Sequence, residues 1–82
     1  MYYVYILKSL KNKKYYKGLT NNLDERLRQH FLGKCQTTKN MKPLKLFHVE
    51  LCKTRKEARK LEKYFKSGYG REIIELLEQD KT

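Results

Sequence analysis

The chain has 82 residues, with 20 Lys and Arg against 9 Asp and Glu, a formal net charge of +11. A chain of this length predicts one domain, residues 1–82, with a modest core, and excludes a large multi-layer enzyme. Two cysteines, Cys35 and Cys52, are too few for a disulfide framework or a thiolate zinc site, and no apolar run is long enough to span a bilayer.

The charge is uneven. Five lysines and no acid precede Asp24, and only bases occur between Glu25 and Glu50. Such a field attracts polyanions, nucleic acid first and an anionic membrane surface second. The N-terminus lacks a basic region followed by a long apolar run, so no signal peptide is read, and the cysteines are expected reduced. The expectation is a soluble cytoplasmic protein.

Tyr2 to Lys8 is rich in aromatic and β-branched residues and predicts a strand. Tyr3, Tyr5 and Leu7 share one face and Tyr2, Val4 and Ile6 the other, so the strand should be central and covered on both sides. Leu10 to Lys13 reads as a hairpin turn and Lys14 to Leu19 as the returning strand, which brings Tyr16 near Tyr5. Gly18 lies in or at the end of that strand. It marks either a β-bulge or a close approach by backbone or ligand.

Thr20, Asn21 and Asn22 offer side-chain caps for a helix from Leu23 to Leu32, with Glu25 three residues after Asn22 in the manner of a capping box. Leu23, Leu27 and Phe31 form its apolar stripe, and Gly33 its left-handed stop. Arg26 and His30, four apart, lie on a neighbouring face. A guanidinium and an imidazole beside a tyrosine-bearing strand end are suited to holding a phosphodiester. The loop from Gly33 to Pro43 carries lysines, threonines and amides but no acid. It is either a solvated loop or a grip for a phosphate backbone.

Leu44 to Leu51 predicts the third strand, with imperfect alternation and a mid-strand His48 that reads as structural. Thr54 and Glu57 form a second capping box, and Ala58, Leu61 and Phe65 the inner stripe of the helix that follows. Glu62 sits at the edge of that stripe, where it pairs with Arg59 or Lys66 or ligates a metal. Gly68 and Gly70 are expected to break this helix, and Arg71 to Glu78 to form a short third helix closing the core. The predicted fold class is α+β: a three-stranded antiparallel sheet flanked by helices, in the order β-β-α-β-α-α.

Glycine-rich phosphate loops, zinc spacings and helix-turn-helix spacing are absent from the sequence. Tyr3-Val4-Tyr5 and Tyr16-Lys17-Gly18 stand as two half-motifs, followed at fixed spacing by Arg26, His30 and, later, Glu62. In this ordered combination the chain resembles the GIY-YIG nuclease family. It is most similar to its small stand-alone bacterial subgroup, through Tyr2 to Lys8, Thr54 to Ala58 and Lys66 to Glu72. The resemblance implies a metal-dependent DNA endonuclease, and branched or damaged DNA is the expected substrate. It places Tyr5, Tyr16, Arg26, His30 and Glu62 in the catalytic site, with Glu62 holding one Mg2+ (or Mn2+) ion. In this reading Arg26 stabilises charge on the phosphate, Tyr16 positions or deprotonates water with Tyr5 beside it, and His30 assists proton transfer or holds the phosphate. Candidate contacts to the nucleic-acid backbone are Lys17, Gly18, Arg28, Lys34, Thr37, Thr38 and Lys39. DNA is the expected partner, with no membrane, and a monomer is favoured. The alternatives are a nucleic-acid-binding module with weak or no catalysis, and a protein-interaction domain.

Overall fold

A computed structural model describes residues 1–80. Strands β1 (Tyr2–Ser9) and β2 (Tyr15–Thr20) are followed by helix α1 (Leu23–Phe31) and a short 3₁₀ turn (Lys39–Met41). Strand β3 (Leu44–Cys52) and helices α2 (Arg55–Lys66) and α3 (Gly68–Asp80) complete the order. The sheet is antiparallel with strand order β2-β1-β3, so the first strand is central and β2 is a free edge. This is the predicted α+β arrangement. Among the described residues no helix is long and apolar enough to cross a membrane.

The hairpin is tied by Ser9. Its N–H donates to Lys14 O at 2.8 Å, its carbonyl accepts from Lys13 N at 3.0 Å, and its hydroxyl donates to Met41 O at 2.7 Å. One buried side chain thus fixes the turn and anchors the later loop to it.

In the β1–β2 register Tyr5 stands opposite Gly18, Ile6 opposite Lys17 and Leu7 opposite Tyr16. Cross-strand partners share a face. Tyr16, Gly18 and Thr20 therefore lie on the Tyr5 side, and Tyr15, Lys17 and Leu19 on the Val4 and Ile6 side. The second side holds the core, where Val4, Ile6, Phe47, Ala58, Phe65 and Ile74 pack together under α2 and α3. The imperfect alternation of β3 has its cause here. Pairing shifts between Ile6 and Leu7, leaving Phe47 as the extra residue of a bulge, and Phe47 is buried in the core.

The N-cap half of each expected capping box forms. Asn22 Oδ1 accepts from Glu25 N at 3.3 Å, and Thr54 Oγ1 accepts from Glu57 N at 3.2 Å. Two local expectations are corrected. The inner face of α1 is Leu23, Leu27 and His30; Phe31 is 40% exposed while His30 is 1% exposed. Positions 27 and 30 are also helix neighbours, and what lies opposite decides between 30 and 31. The third helix begins at Gly68 rather than Arg71. A Cβ on Gly70 would stand 2.3 Å from Phe65 O, so this glycine does not break a helix but lets the first turn of α3 press against the end of α2.

Candidate active site

Tyr5, 1% exposed, places its hydroxyl 2.9 Å from His30 Nε2, and His30 Nδ1 lies 2.7 Å from Thr38 Oγ1. Gly18 makes room for the phenol: a Cβ there would lie 2.4 Å from both Tyr5 Cζ and its oxygen. Neither a bulge nor a ligand explains this glycine; the tyrosine of the adjacent strand does. Burial, then the Tyr16 phenol, raises the Tyr5 pKa, with Arg26 opposing. Tyr5 therefore keeps its proton and donates it to Nε2. That fixes the tautomer, with Nδ1–H donating to Thr38. His30 is held neutral, lowered by burial and then by the charge of Arg26.

In front of this chain is an open hollow of about 430 Å³, lined by Tyr16, Arg26, Gln29, Lys34, Cys35 and Thr37, with His30 at its back. The Tyr16 ring lies 5.1 Å from that of His30 and 6.3 Å from that of Tyr5. The exposed Arg26 guanidinium donates to Gln29 Oε1 at 3.3 Å. Arg26 also borders a smaller hollow of about 260 Å³ at the end of β2, which it shares with Thr20, Asn21 and Arg55. Two guanidiniums thus face one space between the starts of α1 and α2. Such a site favours a bound anion.

The fold brings Tyr5, Tyr16, Arg26 and His30 into one cluster. Glu62 stands apart from them, on the helix that covers the other face of the sheet. Its side chain is 14% exposed and pairs with Lys66 at 3.5 Å. Arg55, Glu62 and Lys66 occupy one stripe of α2. Arg55 borders the hollow at the end of β2, and Lys66, with Arg71, helps lower Lys17 in mid-strand. Glu62 therefore lies along β2, across this edge strand from Tyr16. Among the described residues no group of three or more His, Cys, Asp or Glu could hold a metal. A cation here would rest on one carboxylate, with water and phosphate oxygens as the other ligands, which suits magnesium.

The expected backbone contacts divide. Lys34 and Thr37 line the Tyr16 hollow, and Lys39 is exposed on the 3₁₀ turn. Arg28 borders a neighbouring hollow alongside Asp24 and Glu25. Lys17 faces α3, on the other side of the sheet from Tyr16. Thr38 is fully buried on His30 and Gly18 is covered by Tyr5, so neither reaches a phosphate. His30, at the back of that hollow, is 1% exposed and has both ring nitrogens hydrogen-bonded, to Tyr5 and Thr38. Gln29, Cys35 and Arg55 were not anticipated. Gln29, three residues after Arg26 on a helix, was open to inference from spacing; Cys35 and Arg55 carried no such signal.

Residues 1–74 match the model of the GIY-YIG catalytic domain. A UPF0213 protein of Clostridium perfringens is 36% identical over 78 residues, covering 94% of this chain and 83% of that protein. UvrABC system protein C of Mycoplasmopsis agalactiae is 38% identical over 81 residues, which span 95% of this chain but 14% of that protein. The solution NMR structure of a UPF0213 protein of Bacillus halodurans matches with a TM-score of 0.57 at 31% identity, covering 94% of this chain and 85% of that one.

Proposed function

Since this chain belongs to the GIY-YIG catalytic-domain family, we propose that it is a divalent-metal-dependent endonuclease hydrolysing DNA phosphodiester bonds. The observation that carries the reading is the pairing of Tyr16 and Arg26 at one open hollow, backed by a buried Tyr5–His30–Thr38 chain. In this reading the scissile phosphate lies in the hollow. Arg26 donates to its non-bridging oxygens as charge builds there. Tyr16 orients the water whose oxygen attacks phosphorus while the bond to the leaving oxygen breaks; the water's proton passes to bulk solvent through the open hollow, and the leaving alkoxide takes up a proton from solvent. Tyr5 stays protonated and, held by His30, keeps the wall against which Tyr16 packs. Lys34 supplies a second cation for the same strand. Glu62 would hold one Mg2+ or Mn2+ ion, whose chemistry is to polarise the phosphate and stabilise the leaving oxygen. Contacts fall chiefly on the sugar–phosphate backbone, which predicts weak sequence preference.

The test is nicking of supercoiled plasmid, and of branched and nicked duplexes, in magnesium and in EDTA, with Arg26→Ala alongside. Expected is metal-dependent nicking that falls roughly 100- to 1,000-fold in the variant, the scale for losing one donor to a developing oxyanion. Equal nicking by both proteins would refute the site. The ion pair that already occupies Glu62 favours a second reading, a nucleic-acid-binding module. Salt-sensitive binding without nicking in either metal would select it.

A further inference from the structure

On the face of the sheet opposite Tyr16 is another hollow of about 430 Å³, between β2 and α3. Lys14, Lys17 and Arg71 line it, with Tyr15 and Ile74 as its floor and Glu75 as its one carboxylate. We propose that this hollow is a second phosphate site, in which Lys17 and Arg71 hold a backbone phosphate of the nucleic-acid strand close to the one at Tyr16. The proposal rests on the nucleic-acid reading above and adds a surface to it.

Two observations converge. Lys17 shares a face with the core residue Ile6, so its ammonium is carried on a half-buried stem against α3 rather than out into solvent. Burial, then Arg71 and Lys66, lowers its pKa: three cations crowd one place, and a bound anion would relieve their repulsion. The nearby Glu78 does not neutralise the site, because Lys8 at 2.7 Å and the Tyr15 hydroxyl occupy it. Tyr16 and Lys17 are consecutive on an edge strand and point to opposite faces. A strand crossing that edge meets both hollows within a few nucleotides.

The test measures binding of a fluorescent oligonucleotide in EDTA, so that no cleavage intervenes, across a salt series. It compares wild type with Lys17→Gln, Arg71→Gln and, as a control, Lys60→Gln on the exposed side of α2. Arg71 is exposed, so Arg71→Gln keeps the test open if the change at the half-buried Lys17 disturbs folding. Each hollow variant is expected to flatten the log–log salt slope by about 1, and so to weaken binding roughly five- to tenfold at 0.15 M salt. Lys60→Gln should change neither. Unchanged slopes in both hollow variants, or an equal loss in Lys60→Gln, would overturn the proposal. A parallel titration follows the amide signals of Lys17 and Arg71 by NMR. Saturation by inorganic phosphate that the oligonucleotide does not displace would overturn the assignment to a nucleic-acid strand. Slope loss in a wild-type background that binds but never nicks would refute the endonuclease reading and leave this site standing.

Discussion

Replacing Gly18 by Ala tests the packing on which the candidate site depends. The new Cβ would stand 2.4 Å from Tyr5 Cζ and from its oxygen, where ordinary contact is 3.4–4 Å. The two must separate by about 1 Å, since both are buried and neither can swing into solvent. The phenol is held at 2.9 Å to His30 Nε2, so a shift of that size takes the bond beyond hydrogen-bonding range. Overpacking costs about 1–3 kcal/mol. A buried nitrogen left unpaired costs about 1–3 kcal/mol more. A total near 2–6 kcal/mol corresponds to a melting point lower by roughly 10–40 °C in a chain this small. Urea unfolding followed by circular dichroism reads it. Tyr5→Phe in the Gly18→Ala background separates the two contributions. The hydroxyl clash and the hydrogen bond are then already gone, so the double variant should cost about 1–2 kcal/mol less than the sum of the singles. A cost below about 0.5 kcal/mol for Gly18→Ala, or strict additivity, would refute the account.

Three further outcomes follow from the same geometry. His30 has its folded pKa lowered below the unfolded value near 6.5 by burial and Arg26. Below that pH the unfolded chain binds the extra proton, so stability should be full above pH 6.5 and fall from there towards the folded pKa. Urea midpoints from pH 5 to 8 should show this decline in wild type and lose it in His30→Gln. Tyr16→Phe should leave the urea midpoint within about 0.5 kcal/mol of wild type, since the half-buried hydroxyl is not a packing element. Its nicking rate should fall roughly 100-fold or more with oligonucleotide affinity unchanged, and an equal loss of both would assign Tyr16 to binding. Glu62→Gln should abolish magnesium-stimulated nicking while altering stability by only tenths of a kcal/mol, because its ion pair reaches a half-exposed lysine. A large stability loss in that variant would make Glu62 structural.

Whatever depends on neighbours a few residues apart was legible in the chain itself. The two side-chain N-caps, the Ser9–Lys14 hairpin and the double-faced apolar pattern of β1 are local chemistry, and together they specify a central strand flanked by helices. The spacing from Tyr16 to Arg26 carries the same locality, since a tight turn leaves that helix little choice of where to start. What remained undetermined was set by partners distant in sequence. Leu27 is a helix neighbour of both His30 and Phe31, and the choice fell to the imidazole because a buried phenol from β1 stood opposite it. Thr38 reads as a loop hydroxyl until the fold turns it onto that imidazole. Gly18 reads as a bulge or a close approach, and Gly70 as a helix break, until Tyr5 and the end of α2 occupy the space a side chain would need. Glu62 is the clearest case: helical periodicity fixes its face on α2, but only packing against the edge strand sets which side of β2 its carboxylate occupies. A sequence encodes the conformations of its segments through short-range sterics and hydrogen bonding, whereas the meeting of buried polar groups is decided only when segments compete for the same enclosed volume.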